Sequence, residues 1–222
     1  MLFYDASGSP LWRCSGALLS PAVFLTAGHC TRGAASAQVW FSPGPITTAS
    51  GYPFTGGASF GVPVTDPLMD TVPSLVHNHD LGIVVLSTPQ PGPYASLASV
   101  GTLDRLSTTA ARKAARFDLV GYGLQDALPP SIVAERTRYA GQAKLVNIQS
   151  ALTGTFNVQL TAAPGTGGSV CFGDSGGPDF LAGTRQIVAV NSFLLSKHCM
   201  GAAFSTRIDT VASQAFVASF LP

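Results

Sequence analysis

Residues 171–178 read Cys-Phe-Gly-Asp-Ser-Gly-Gly-Pro. Ser175 is flanked by Gly173, Gly176 and Gly177, and glycine lets a backbone turn sharply and approach a substrate closely. A serine set in such a loop is presented rather than packed away. It becomes a useful nucleophile when a neighbouring base takes its proton and a third group orients that base. Two further segments carry groups of that kind. Thr26-Ala27-Gly28-His29-Cys30 offers an imidazole, and Asn78-His79-Asp80 offers a carboxylate ahead of the apolar run Leu81 to Leu86. The candidates therefore occur in the order His29, Asp80, Ser175.

Other chemistries fit some of these residues. Gly173-Asp174-Ser175-Gly176-Gly177 also satisfies the G-x-S-x-G pattern, and Asp179 and His198 follow it. That pattern requires a strand before the serine and a helix after it. Here Gly-Gly-Pro leads instead to Gln186-Ile187-Val188-Ala189-Val190, a β-branched run that reads as a strand, so an α/β-hydrolase is disfavoured. His77-Asn78-His79-Asp80 has the look of a metal-ligand cluster, but His-x-His with one aspartate is a weak signal. The four cysteines, at 14, 30, 171 and 199, include no C-x-x-C spacing, which argues against zinc. Neither a metal nor another cofactor is expected.

The elements that must position these residues read as antiparallel β structure. Twenty-four glycines and sixteen prolines punctuate short runs of Val, Ile, Leu, Phe and Thr along the 222-residue chain. Strands are expected at residues 17–19, 23–26, 37–41, 82–87, 117–123, 136–139, 144–146, 155–160 and 187–191. Ile208, Val211, Ala212, Ala215 and Phe216 recur at helical spacing, so a C-terminal helix is expected, with Ser205 or Thr206 as its cap. Residues 42–73 read as loops and a hairpin, and residues 103–115 as a short helix near a domain crossover. Charged residues are only 10% of the chain and the net charge is +1. The one basic cluster, Arg112-Lys113 with Arg116, is far short of a nucleic-acid footprint. No apolar run reaches membrane-spanning length.

The three motifs, together with the cysteines and Val120-Gly121-Tyr122-Gly123, resemble those of the trypsin-like serine proteases of the chymotrypsin fold. The resemblance implies an all-β protein of two six-stranded antiparallel barrels with a C-terminal helix. Residues 1–100 would carry His29 and Asp80, and residues 101–222 would carry Ser175. It implies a Ser-His-Asp triad, an oxyanion hole made by the N–H groups of Gly173 and Ser175, and disulfides joining Cys14 to Cys30 and Cys171 to Cys199. Ser169 would form the floor of the primary specificity pocket, with Ser192, Phe193, Leu194 and Ala202 around it. A serine floor cannot pair with a basic side chain, so a small aliphatic or an aromatic residue is expected before the cleaved bond. Substrates would be proteins or peptides, with protein inhibitors as further partners, and the default state is a monomer. Paired cysteines imply secretion.

One departure from the family stands out. Asp174 lies within the serine loop, where a buried carboxylate needs a partner, and in activated relatives a freshly cut Ile-Val-Gly-Gly-like amino terminus supplies it. No such segment occurs here, and Met1 lies only 28 positions before His29. An incomplete start is the expected explanation, ahead of an internal cation or a zymogen-like state, and it would also account for the missing export signal.

Overall fold

The computed structural model describes residues 1–55, 58–69, 79–162 and 168–222. Seven strands form the first antiparallel sheet: β1 (Leu2–Tyr4), β2 (Pro10–Arg13), β3 (Ala17–Ser20), β4 (Val23–Thr26), β5 (Ser36–Trp40), β6 (Ala58–Thr65) and β7 (Gly82–Leu86). Their spatial order is β2-β1-β5-β6-β7-β4-β3. The second sheet takes β8 (Ser96–Leu97) and β9 (Arg116–Gly121), then β12 (Tyr139–Asn147), β13 (Asn157–Ala162), β14 (Pro178–Leu181), β15 (Gln186–Leu194) and β16 (Gly201–Arg207). Its order is β14-β9-β12-β13-β16-β15-β8, and an extra β14–β15 pairing closes six of these strands into a ring. Between them β10 (Asp126–Leu128) and β11 (Ser131–Val133) form a separate hairpin.

The expected two-barrel architecture is present, with one difference. The C-terminal barrel is closed, whereas among the described residues the N-terminal sheet is a half-barrel whose end strands β2 and β3 do not pair. β2 turns its side chains largely to solvent and leans on β1 alone, so the sheet ends there.

Packing follows from side-chain alternation. In β9 the residues alternate between half-buried and buried, which sends Phe117 and Leu119 into the second core with Leu145, Leu160 and Val188. β4 and most of β15 are buried along their length because they lie between barrels. Leu25, Ile83 and Val84 share an apolar cluster with Ile187, Val190, Ile208 and Val217, so the two halves of the chain meet through a continuous core.

Several sequence expectations shift by a few residues. The strand expected at 136–139 begins only at Tyr139, and a long strand, β6, lies within the 42–73 stretch. Residues 56–57 and 70–78, including His77 and Asn78, lie outside the described residues. Helices are α1 (Gly28–Thr31), α2 (Thr109–Ala114) within the segment expected to be helical, and α3 (Val211–Ala218). The cap of α3 is Thr210, whose side chain accepts from the Ser213 N–H, and not Ser205 or Thr206, which lie within β16. Its buried residues are Ser213 and Val217, while Val211 is 73% exposed. The apolar face inferred from spacing is rotated because Ile208 is buried ahead of the helix, not on it.

Candidate active site

His29 sits in α1, a single turn following β4, and Asp80 sits just before β7, the strand paired with β4. That pairing brings the two residues together. Asp80 is fully buried and accepts three hydrogen bonds: from the His29 backbone N–H at 2.6 Å, from His29 Nδ1 at 2.7 Å and from Ser192 Oγ at 2.5 Å. Burial works against the Asp80 carboxylate, but the His29 charge and these hydrogen bonds outweigh it and hold the carboxyl below its ordinary range. Burial likewise opposes an imidazolium at His29, and the Asp80 charge and hydrogen bond reverse that, lifting the ring above its ordinary value. With Nδ1 donating to Asp80, the unprotonated ring carries its lone pair on Nε2.

Ser175 lies in the loop leading to β14 and lines the same cavity, about 380 Å³, as His29 and Asp80. Its loop is pinned at every turn. The Asp174 N–H donates to Cys171 O at 3.0 Å, closing a turn in which Gly173 has φ +99°, a conformation that favours glycine. The Gly176 N–H donates to Asn191 O, and Ser175 O accepts from the Ser15 N–H at 2.8 Å. The Phe172 carbonyl accepts from the Leu124 N–H at 3.0 Å, and Leu124 lines a different cavity from the one holding His29. A trans peptide points its N–H opposite to its C=O, so the Gly173 N–H faces away from Leu124. Neither the Gly173 nor the Ser175 N–H donates to another group among the described residues.

Asp174 finds no cation among the described residues. One oxygen accepts from the Gly123 N–H at 2.7 Å and the other from the Cys171 N–H at 2.8 Å. Its seat exists because two neighbours lack side chains. A Cβ on Gly121 would lie 1.9 Å from Asp174 Oδ1, and one on Gly123 would lie 2.5 Å from its Oδ2. Burial pushes the carboxyl up to about 6, and the two N–H donors offset this only partly.

The expected pocket residues divide between two cavities. Ser192, Phe193 and Leu194 line the one holding His29 and Ser175, with Val170 and Phe172. Ser169 does not. It lines the larger cavity of about 820 Å³ on the other side of Val170 and Cys171, with its hydroxyl directed to the Cys199 and Val170 carbonyls. Ala202 lines neither cavity and pairs with Thr161 across β13 and β16. Phe193 stacks on the buried Phe204 at 4.7 Å, which backs this side of the cleft with aromatic bulk.

Cys14 joins Cys30 and Cys171 joins Cys199, so one bridge holds the His29 turn and the other the serine loop. Loops closed over 16 and 28 positions contribute about 3 to 4 kcal/mol each on a chain-entropy estimate. The only cluster of metal-ligand types among the described residues is Cys14, Cys30 and His29, and both sulfurs are spent in a disulfide. Both ring nitrogens of His79 are engaged within the protein, and His198 Nδ1 lies 3.2 Å from Ala127 O. Asp179 is buried in β14.

Sequence reading missed Ser15. It is 3% exposed, and its hydroxyl donates to Gly173 O at 2.9 Å while accepting from the Tyr122 N–H at 3.0 Å. Its carbonyl accepts from Thr26 Oγ1. One residue thereby fastens the serine loop to the His29 side of the cleft. Its position next to Cys14 was the only available signal.

A closed barrel and a half-barrel meeting at a Ser, His and Asp constellation define a protein of the chymotrypsin-like fold. The trypsin family model matches residues 2–214, and the chain belongs to that family. No curated protein sequence matches it. Among solved structures it is similar to neuropsin, a serine protease expressed in the limbic system of mouse brain, at 15% identity and TM-score 0.70, covering 100% of this chain and 93% of that one. It is also similar to HL collagenase, at 16% identity and TM-score 0.69 over 94% of this chain and 86% of that one. A third likeness, to HBP, has 16% identity and TM-score 0.69 over 99% and 90% of the two chains. At such identities these likenesses establish the fold.

Proposed function

We propose that this chain is a serine endopeptidase that cleaves peptide bonds through an acyl-enzyme. Ser175 Oγ attacks the carbonyl, His29 Nε2 takes its proton and returns it to the leaving amine, and Asp80 holds the ring's tautomer and stabilises its charged form. The N–H groups of Gly173 and Ser175 receive the oxyanion. The observation that carries the reading is the joint geometry: His29 bonded to Asp80 at 2.7 Å, Ser175 in the same cavity, and the Phe172 carbonyl drawn to Leu124 so that the Gly173 N–H is left to face a substrate.

Ser192 to Leu194 offer the substrate a strand edge. β15 pairs with β14 only as far as Val190, beyond which its second edge carries no partner strand among the described residues. An extended peptide can add there. Val170, Phe172, Phe193 and Leu194 make the cleft apolar, which fits small aliphatic or aromatic side chains before the scissile bond. The two disulfides fit an oxidising, extracellular setting.

A second reading, a protease fold locked in a silent state, draws on Asp174, which has no cationic partner among the described residues. A fluorophosphonate probe separates the two. Intact mass spectrometry should find one adduct on the parent chain and none on Ser175→Ala. An unmodified parent with both disulfides formed would refute the hydrolase reading.

A further inference from the structure

A second Asp, His and Ser cluster lies buried behind the first. Asp66, His79 and Ser213 are 2%, 1% and 0% exposed. His79 Nδ1 lies 2.7 Å from Asp66 Oδ2, and His79 Nε2 lies 3.2 Å from Ser213 Oγ. The Ser213 hydroxyl also donates to the Arg207 carbonyl at 2.6 Å, which ties the cluster to the main chain ahead of the helix. The imidazole and the Phe156 ring meet edge to face, with centroids 5.3 Å apart. No exposed face remains for a substrate, so this cluster does no chemistry of its own.

Its position next to Asp80 gives it a use. The Leu81 N–H donates to His79 O at 2.9 Å, which makes Asp80 the middle residue of a three-residue turn. Asp66 grips both ends of that turn. Its carboxylate holds the His79 ring, and its backbone N–H donates to Leu81 O at 2.9 Å. Asp66 is itself fixed by the Leu68 N–H on Oδ1 and the Met69 N–H on its carbonyl. Through Ser213, whose N–H is capped by Thr210 at 3.1 Å, the bracket is anchored to α3. A buried polar pair adds little stability over an apolar pair of the same shape, so its value lies in where it holds the chain.

We propose that Asp66, His79 and Ser213 are positioning residues that set Asp80 against His29. This rests on the catalytic reading above, and its test includes a measurement that does not. His79→Phe alone strands the Asp66 carboxylate and should destabilise the fold. The double variant Asp66→Leu/His79→Phe leaves no stranded charge and should unfold near the parent's temperature. Its kcat should nevertheless fall roughly 10- to 100-fold with KM little changed, as expected when a reacting group is misplaced by about an ångström. In the same variant an NMR titration of His29 should move down from its raised position towards the ordinary 6.5. Ser213→Ala keeps the Asp66 and His79 pair, cuts the tie to α3, and should move both readouts in the same direction by less. A double variant that folds with the parent's kcat and an unmoved His29 titration would overturn the proposal. If the double variant does not fold, an unmoved His29 in Ser213→Ala overturns it. A parent that never reacts with the probe refutes the endopeptidase reading, and the His29 titration then decides the bracket alone.

Discussion

Asp179 gives the sharpest quantitative test of this structure. It is fully buried in β14, and neither carboxylate oxygen has a hydrogen-bond partner among the described residues. Burial pushes its carboxyl up from an ordinary 3.8 to about 7, offset only in part by the nearby Ser205 hydroxyl, which donates to Asn191 Oδ1. The folded protein therefore binds this proton more tightly than the unfolded chain. Stability is complete below the unfolded value near 3.8, falls as pH rises from there, and levels off above about 7. At about 1.4 kcal/mol per pKa unit, the full loss is about 4 kcal/mol, of which about 3 kcal/mol falls between pH 5 and 8.5. Asp179→Asn removes the titration while keeping the shape. In a Ser175→Ala background, chosen so that the proposed activity cannot cleave the sample, urea unfolding at the two pH values should give a parent that loses about 3 kcal/mol more than the variant. Subtracting the variant cancels all other titrating groups. In thermal melts the same difference is roughly 6 to 12 °C. Parallel pH dependences for parent and Asp179→Asn would refute the reasoning, because the carboxyl would then be solvated or partnered in the fold.

Three further expectations concern the cleft. Ser15→Ala deprives Gly173 O of its donor and the Tyr122 N–H of its acceptor; it should cost about 1 to 3 kcal/mol of stability and lower kcat more than it raises KM, as steady-state kinetics with unfolding curves would register. Gly121→Ala would put a Cβ 1.9 Å from Asp174 Oδ1 and should abolish labelling of Ser175 by the fluorophosphonate while circular dichroism still reports a folded β protein. Because the Asp80 carboxylate lifts His29, kcat/KM should rise with pH through an inflection above 6.5, and Asp80→Asn should lower kcat by about 10⁴, the factor known for the chymotrypsin triad; an inflection below 6.5 would mean that burial dominates.

Residue types and their local spacing carry the proposed chemistry. His29, Asp80 and Ser175 were legible because each sits in a short motif whose neighbours are dictated locally, by glycines that shape a turn or by an apolar strand that follows an acid. Strands such as β4, β7 and β15 were legible for a similar reason, since β-branched runs bounded by turn residues specify extended chain within a few positions. The face of α3 was misread because eight residues in a helix are too few for periodicity to distinguish Val211, which is exposed, from Ile208, which is buried outside it.

The groups that support that chemistry come together only through long-range packing. Ser15 and Gly173 are 158 positions apart, and His79 and Ser213 are 134 apart; hydrogen bonds over such separations leave no local pattern in either partner. The same holds for the partners of Asp174. The aspartate was visible in its loop, but its seat is made by side chains missing from Gly121, at the end of β9, and from Gly123 just beyond it. The family resemblance, aligned through Cys171, puts Ser169 at the pocket floor, yet whether a side chain faces one cavity or the next depends on how the chain turns at Val170 and Cys171. Reactive groups are written in residue type and short-range spacing. The geometry on which the proposed reaction depends is set by packing between segments far apart in the chain.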